Sequence, residues 1–212
     1  MHSKKYITEF LGTFFLMFTI MWVVHVNYIP SGLKPSVIGL ILMILIYWGG
    51  PISKAHYNPA VTIAFITRRQ MDPRDILGYL IAEFFAAFFA SWLGMILFAE
   101  NCVAHVFEIG QLPMALLGEF LGTFVIVSVI MFVATLKRTI GNRYYGFAIA
   151  LAVTLMIYAF AHLSGGAFNP AVALGFVLCS MIELEFFLMV ILVCFLGGWV
   201  SGKLFNLLEK RD

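Results

Sequence analysis

Two short strings in this chain each occur twice at almost the same separation, and no other feature restricts its fold as much. Glu9-Phe10-Leu11-Gly12-Thr13-Phe14 returns letter for letter as Glu119-Phe120-Leu121-Gly122-Thr123-Phe124, 110 residues later. Asn58-Pro59-Ala60-Val61 returns as Asn169-Pro170-Ala171-Val172, 111 residues later. A chain of 212 residues carrying both pairs reads as one domain built from a duplicated unit, the first copy over about 1–108 and the second over about 109–212.

The solvent around that unit follows from composition. Hydrophobic residues make up 62% and charged residues 11% of the chain, with a mean hydropathy of +0.99, a surplus that no water-soluble core of this size hides. Long apolar runs at about 6–26, 36–50, 76–98, 113–136, 144–163 and 184–207 approach the roughly 20 residues needed to cross about 30 Å of hydrocarbon as helix. The first is read as a retained span, because Lys4 and Lys5 precede an apolar run with no small-residue cleavage site after it. Two further apolar stretches, Asn58 to Ile66 and Asn169 to Leu178, are half that length. Backbone that stops inside a bilayer needs protein or a water-filled cavity around it. The expectation is therefore an all-α membrane protein of six transmembrane helices and two re-entrant half-helices. Three spans per unit, an odd number, turn the second unit upside down relative to the first.

Basic residues give the orientation. With six spans and both termini on one side, that side receives Lys4, Lys5, Lys54, Arg68, Arg69, Arg74, Lys137, Arg138, Arg143, Lys203, Lys210 and Arg211, and the other receives only Lys34. A bias of this kind marks cytoplasmic loops, so both termini are expected in the cytoplasm and the chain in a cell (inner) membrane.

The Asn-Pro-Ala strings carry their own physics. Proline suits the first turn of a helix, where its missing N–H has no intrahelical partner, and asparagine before it is a preferred N-cap. Two inverted copies bring two helix N-termini together near mid-membrane, each with roughly half a positive charge. The Asn58 and Asn169 carboxamides then offer hydrogen bonds to a passing oxygen, while the field repels cations, hydronium included. Glu9, Glu83 and Glu119 are acids inside apolar spans; proton relay is one role for such groups. His56 and His162 flank the half-length segments and read as structural histidines bonded to loop carbonyls, and His25 reads as interfacial.

Other classes of function find no support in the sequence. No Gly-rich phosphate loop follows a strand, no Cys or His spacing suggests a metal, and no basic surface interleaved with aromatics suggests nucleic acid. Cys102, Cys179 and Cys194 read as plain thiols. No cofactor and no catalysed reaction are expected.

The paired Asn-Pro-Ala boxes, the Glu-Phe-Leu-Gly-Thr repeat and the preceding Ile52-Ser53 and Leu163-Ser164-Gly165-Gly166 resemble the aquaporin, or major intrinsic protein, superfamily over nearly the whole chain. The tail, Leu208-Glu209-Lys210-Arg211-Asp212, is similar to that of compact bacterial members. The resemblance implies a right-handed bundle forming a homotetramer in membrane lipid, with one pore per subunit for water or a small neutral solute. It also implies that Glu9 and Glu119 accept hydrogen bonds from backbone N–H groups of the re-entrant loops. Family spacing puts a selectivity filter at Ile38, Ile157, Ala167 and Val172. Val172 stands where most members have arginine, and an apolar ring there implies a wider opening than a water-specific filter. Ala173 replaces the aspartate common in glycerol facilitators, and Glu83 replaces a common glutamine; Lys54 replaces a usual glycine and is expected either to snorkel its ammonium into the cytoplasm or, with His56, to form part of a cytoplasmic mouth or gate. A passive water channel is the leading expectation. A facilitator for glycerol, ammonia, peroxide or a gas, an ion-coupled transporter using the buried glutamates, and a closed pore with a structural role are its competitors.

Overall fold

A computed structural model describes residues 2–98 and 111–209, with the side chain of His2 left out. The helices are α1 (His2–His25), α2 (Lys34–Ser53), α3 (Pro59–Thr67), α4 (Ile76–Phe98), α5 (Leu112–Thr135), α6 (Tyr145–Ser164), α7 (Pro170–Leu178) and α8 (Leu184–Glu209). There is no β-strand among the described residues. All except α3 and α7 are long and apolar enough to cross a membrane. At nine residues, α3 and α7 reach only about 14 Å. Cys102, Lys210 and Arg211, and the junction between the two proposed copies, lie outside the described residues.

Packing repeats within each half. Helix α1 lies against α2 and α4, and α5 lies against α6 and α8. The half-helices cross over: α3 packs on α8, and α7 packs on α4. Close approach at one of these crossings requires glycine, since a Cβ on Gly198 would sit 2.2 Å from the Ala60 carbonyl oxygen. Large apolar side chains such as Phe85, Trp92, Ile96 and Leu192 point outward and are more than half exposed, as they are when lipid is the solvent.

Several boundaries differ from the sequence reading. Helix α2 begins at Lys34 rather than 36 and continues past 50, through Pro51, to Ser53. Proline this close to a C-terminus costs a single backbone hydrogen bond, and the helix closes with the Lys54 N–H donating to the Gly50 carbonyl at 3.0 Å. Arg68, counted above with the loop cations, is buried. Its Nε donates to Thr135 Oγ1, its Nη2 pairs with Glu209 at 3.2 Å, and its guanidinium lies over the Phe205 ring at 5.9 Å. It thereby ties the end of α3 to the ends of α5 and α8.

Candidate functional site

Each half-helix is entered through a loop whose conformation is duplicated position by position. Lys54 and Gly165 have φ of 72° and 90°, Ala55 and Gly166 have 52° and 71°, and Tyr57 and Phe168 have 50° and 47°. Glycine takes the first two of these positions without steric penalty in the second loop. In the first, Lys54 and Ala55 carry Cβ atoms into the left-handed region, at about 1–2 kcal/mol each.

Buried carboxylates take up the N–H groups that these turns expose. Glu9 accepts from the His56 N–H at 3.0 Å and the Tyr57 N–H at 2.7 Å. Glu119 accepts from the Ala167 N–H at 2.9 Å, the Phe168 N–H at 2.7 Å and the Ser164 hydroxyl at 2.6 Å. Three residues further along each helix, on the same face, comes the glycine of the repeated string. A Cβ on Gly12 would fall 2.0 Å from the Tyr57 ring, and one on Gly122 would fall 2.3 Å from the Phe168 ring. The repeated Glu-x-x-Gly therefore combines an acceptor for the loop with room for its aromatic residue.

Asn58 and Asn169 cap the two half-helices, each Oδ1 accepting at 2.9 Å from the N–H two residues on, at Ala60 and Ala171. Pro59 and Pro170 fill the first helical positions. Each carboxamide also reaches the opposite loop: Asn58 Nδ2 donates to the Phe168 carbonyl at 3.0 Å, and Asn169 Nδ2 donates to the Tyr57 carbonyl at 2.9 Å. The two helix N-termini thus meet tip to tip. One N–H of each carboxamide is committed to this contact, leaving the other as a donor. The sequence marks each asparagine as an N-cap and as a donor to a passing oxygen; it does not single out the carbonyls of Tyr57 and Phe168, although their place before each asparagine is repeated.

Both asparagines line one cavity of about 620 Å³, which Lys34 borders at one end and Lys54 and Arg143 border at the other. Ile38, Ile157, Ala167 and Val172 all line it, Ile157 only half-buried and the others buried. Ile38 and Ile157 come from α2 and α6, which pack together where Thr154 Oγ1 donates to the Pro35 carbonyl at 3.4 Å. Glu9, Glu83 and Glu119 are buried but lie off the cavity wall. His56 lines the wall, and its Nδ1 is 2.9 Å from Thr62 Oγ1, which donates to Glu83 at 2.9 Å, so its ring partner is a hydroxyl and not a loop carbonyl. Lys54 Nζ donates to the Gln70 carbonyl and lies 5.4 Å over the Phe65 ring. His162 is exposed in the last turn of α6, while His25 is buried, with Nδ1 2.7 Å from the Met21 carbonyl.

The Major intrinsic protein family model matches residues 1–140 and 108–212, and the chain belongs to that family. It is 35% identical over 182 residues to Aquaporin NIP1-1 of Oryza sativa subsp. japonica, covering 81% of this chain and 63% of that protein. It is 30% identical to Putative aquaporin NIP4-1 of Arabidopsis thaliana, covering 99% of this chain and 76% of that one. With Glycerol uptake facilitator protein-like 6 of Lactiplantibacillus plantarum it shares 32% identity, over 81% and 82% of the two chains. The chain thus spans a little under two thirds of the length of the rice relative. The X-ray structure of the aquaglyceroporin from Plasmodium falciparum has the same fold, with a TM-score of 0.81 at 21% identity over 97% of this chain and 96% of that one. Together with the six long apolar helices, family membership makes this a multi-pass membrane protein.

Proposed function

We propose that the chain is a passive channel that conducts water, and small uncharged solutes with it, through each protomer without catalysing a reaction. The observation that carries this reading is one cavity bordered by Lys34 at one end and by Lys54 and Arg143 at the other, with both capping asparagines on its wall. At its centre the free N–H groups of Asn58 and Asn169 orient the oxygen of a permeant. The two helix dipoles add a positive potential that turns cations away. Ile38, Ile157, Ala167 and Val172 form the selective ring. With no donor among their side chains, they select by width and not by replacing hydration. Glu9 and Glu119 hold the two loops, and Lys54 and His56 form the cytoplasmic mouth. The two copies, about 1–108 and 109–212, make one channel domain. The assembly is a homotetramer in the cell (inner) membrane with both termini in the cytoplasm.

The apolar ring also favours a second reading, a facilitator mainly for a small neutral solute or a gas. A relative of similar length carries the name glycerol uptake facilitator, and an aliphatic ring suits weakly hydrated molecules. Ion-coupled transport through the glutamates is disfavoured because none of the three lines the cavity. A permeability series over water, glycerol, urea, ammonia and peroxide in proteoliposomes tests the two readings. Water crossing fastest supports the first; solute flux with no gain in water flux supports the second.

A further inference from the structure

The fixed charges on the cavity wall are all cations: Lys34 at one end, Lys54 and Arg143 at the other, and no Asp or Glu among the described residues. Lys54 and Arg143 come from different elements that pack together at that mouth. Tyr47 Oη donates to the Arg143 carbonyl at 2.7 Å, the Tyr47 and Tyr145 rings meet edge to face at 5.1 Å, and a Cβ on Gly50 would lie 2.8 Å from Tyr145 Oη. Among the described residues neither cation has a carboxylate partner. Lys54 spends one ammonium N–H on the Gln70 carbonyl, which leaves two others. Its backbone holds a left-handed φ of 72° where the other loop has glycine, so a lysine is kept here at a conformational cost.

Other donors face the same mouth. Asn142 lines it with its Oδ1 occupied by the Tyr144 N–H at 2.9 Å, which leaves its amide N–H groups. Helix α6 begins at Tyr145, also on the wall, with no side-chain cap, and this adds a partial positive charge. Two cations with several N–H donors suit an oxyanion with several charged oxygens better than a monocarboxylate. Such an ion cannot pass through the cavity, because beyond the two asparagines, towards Lys34, the ring of Ile38, Ile157, Ala167 and Val172 offers its charge no partner.

We propose that this mouth is a binding site for a small dissolved phosphate-class oxyanion, inorganic phosphate or a phosphomonoester, held between Lys54 and Arg143 and obstructing the cavity while bound. The obstruction rests on the channel reading above; the binding does not. Broadening of the 31P resonance of inorganic phosphate, titrated against the purified protein in neutral detergent, measures binding without any flux. Saturable broadening is expected, weakened about tenfold in Lys54→Met and in Arg143→Gln and restored in Arg143→Lys. No broadening with the wild type, or equal broadening in all variants, overturns the site.

Flux is then read in phosphatidylcholine vesicles as the ratio of osmotic shrinkage rates in phosphate and in chloride of equal osmolarity and ionic strength. The ratio is expected below one for the wild type and close to one for Lys54→Met and Arg143→Gln. A ratio of one despite phosphate binding overturns the obstruction. Slowing by phosphatidylglycerol in the vesicles, with none by phosphate, assigns the charges to a lipid headgroup and overturns the dissolved ligand. Phosphate binding without water flux would retain the site and remove the channel reading, whereas water flux without phosphate binding would do the reverse.

Discussion

Glu119 accepts from two successive backbone N–H groups and a serine hydroxyl, so a single oxygen matters there. Glu119→Gln replaces one acceptor by a donor and leaves a buried N–H unsatisfied, at about 1–3 kcal/mol. Thermal melting of the detergent-solubilised protein should fall, and water permeability with it; an unchanged melt contradicts the holding role. Gly12→Ala places a methyl group 2.0 Å from the Tyr57 ring and should cost about 1–3 kcal/mol by overpacking, read in the same melt. Val172→Arg puts a cation and donors into the proposed apolar ring, so the range of permeating solutes should narrow and any cation leak should fall. Unchanged discrimination removes Val172 from the ring. Repetition made Glu9, Glu119, Asn58 and Asn169 stand out in the sequence. Arg68 did not stand out, because what buries it comes from Thr135, Phe205 and Glu209, far along the chain, and no local pattern announces them.

Element by element, the half-helices were the most legible, since a capping asparagine followed by proline at the first helical position is written in adjacent letters. The end of α2 was obscured by Pro51, which usually signals a stop but here falls within the last turn, where little hydrogen bonding is lost. The left-handed residues of the first loop were hidden as well. Such positions advertise themselves by glycine, as Gly165 and Gly166 do, while Lys54 and Ala55 hold the same geometry without that mark. Their strain gives an expectation at this scale. Ala55→Gly should relieve the steric part of it and raise the melting midpoint, by at most about 1 kcal/mol of stability, because glycine also frees the unfolded chain. A lowered midpoint contradicts a strained loop.

At the scale of the whole molecule, the half-helices matter through their crossing. Each packs against a spanning helix of the other half, and each capping asparagine donates to the other loop's backbone, so neither half completes the centre alone. That dependence explains why the repeat pointed to a pore while single residues did not. Two apolar segments too short to span need a shared interior, and inverted copies supply it. The width of that interior was not legible, since it depends on how α2 and α6 set Ile38 and Ile157 against Ala167 and Val172, which spacing alone does not give. The buried glutamates lie off the cavity wall, so transport through it should not need an ion gradient. Stopped-flow light scattering on proteoliposomes tests this most directly, with shrinkage after an osmotic step recorded with and without a proton gradient. The account predicts shrinkage several-fold faster than in protein-free vesicles and equal under both conditions. A rate no faster than bare lipid, or one that appears only with the gradient, contradicts it.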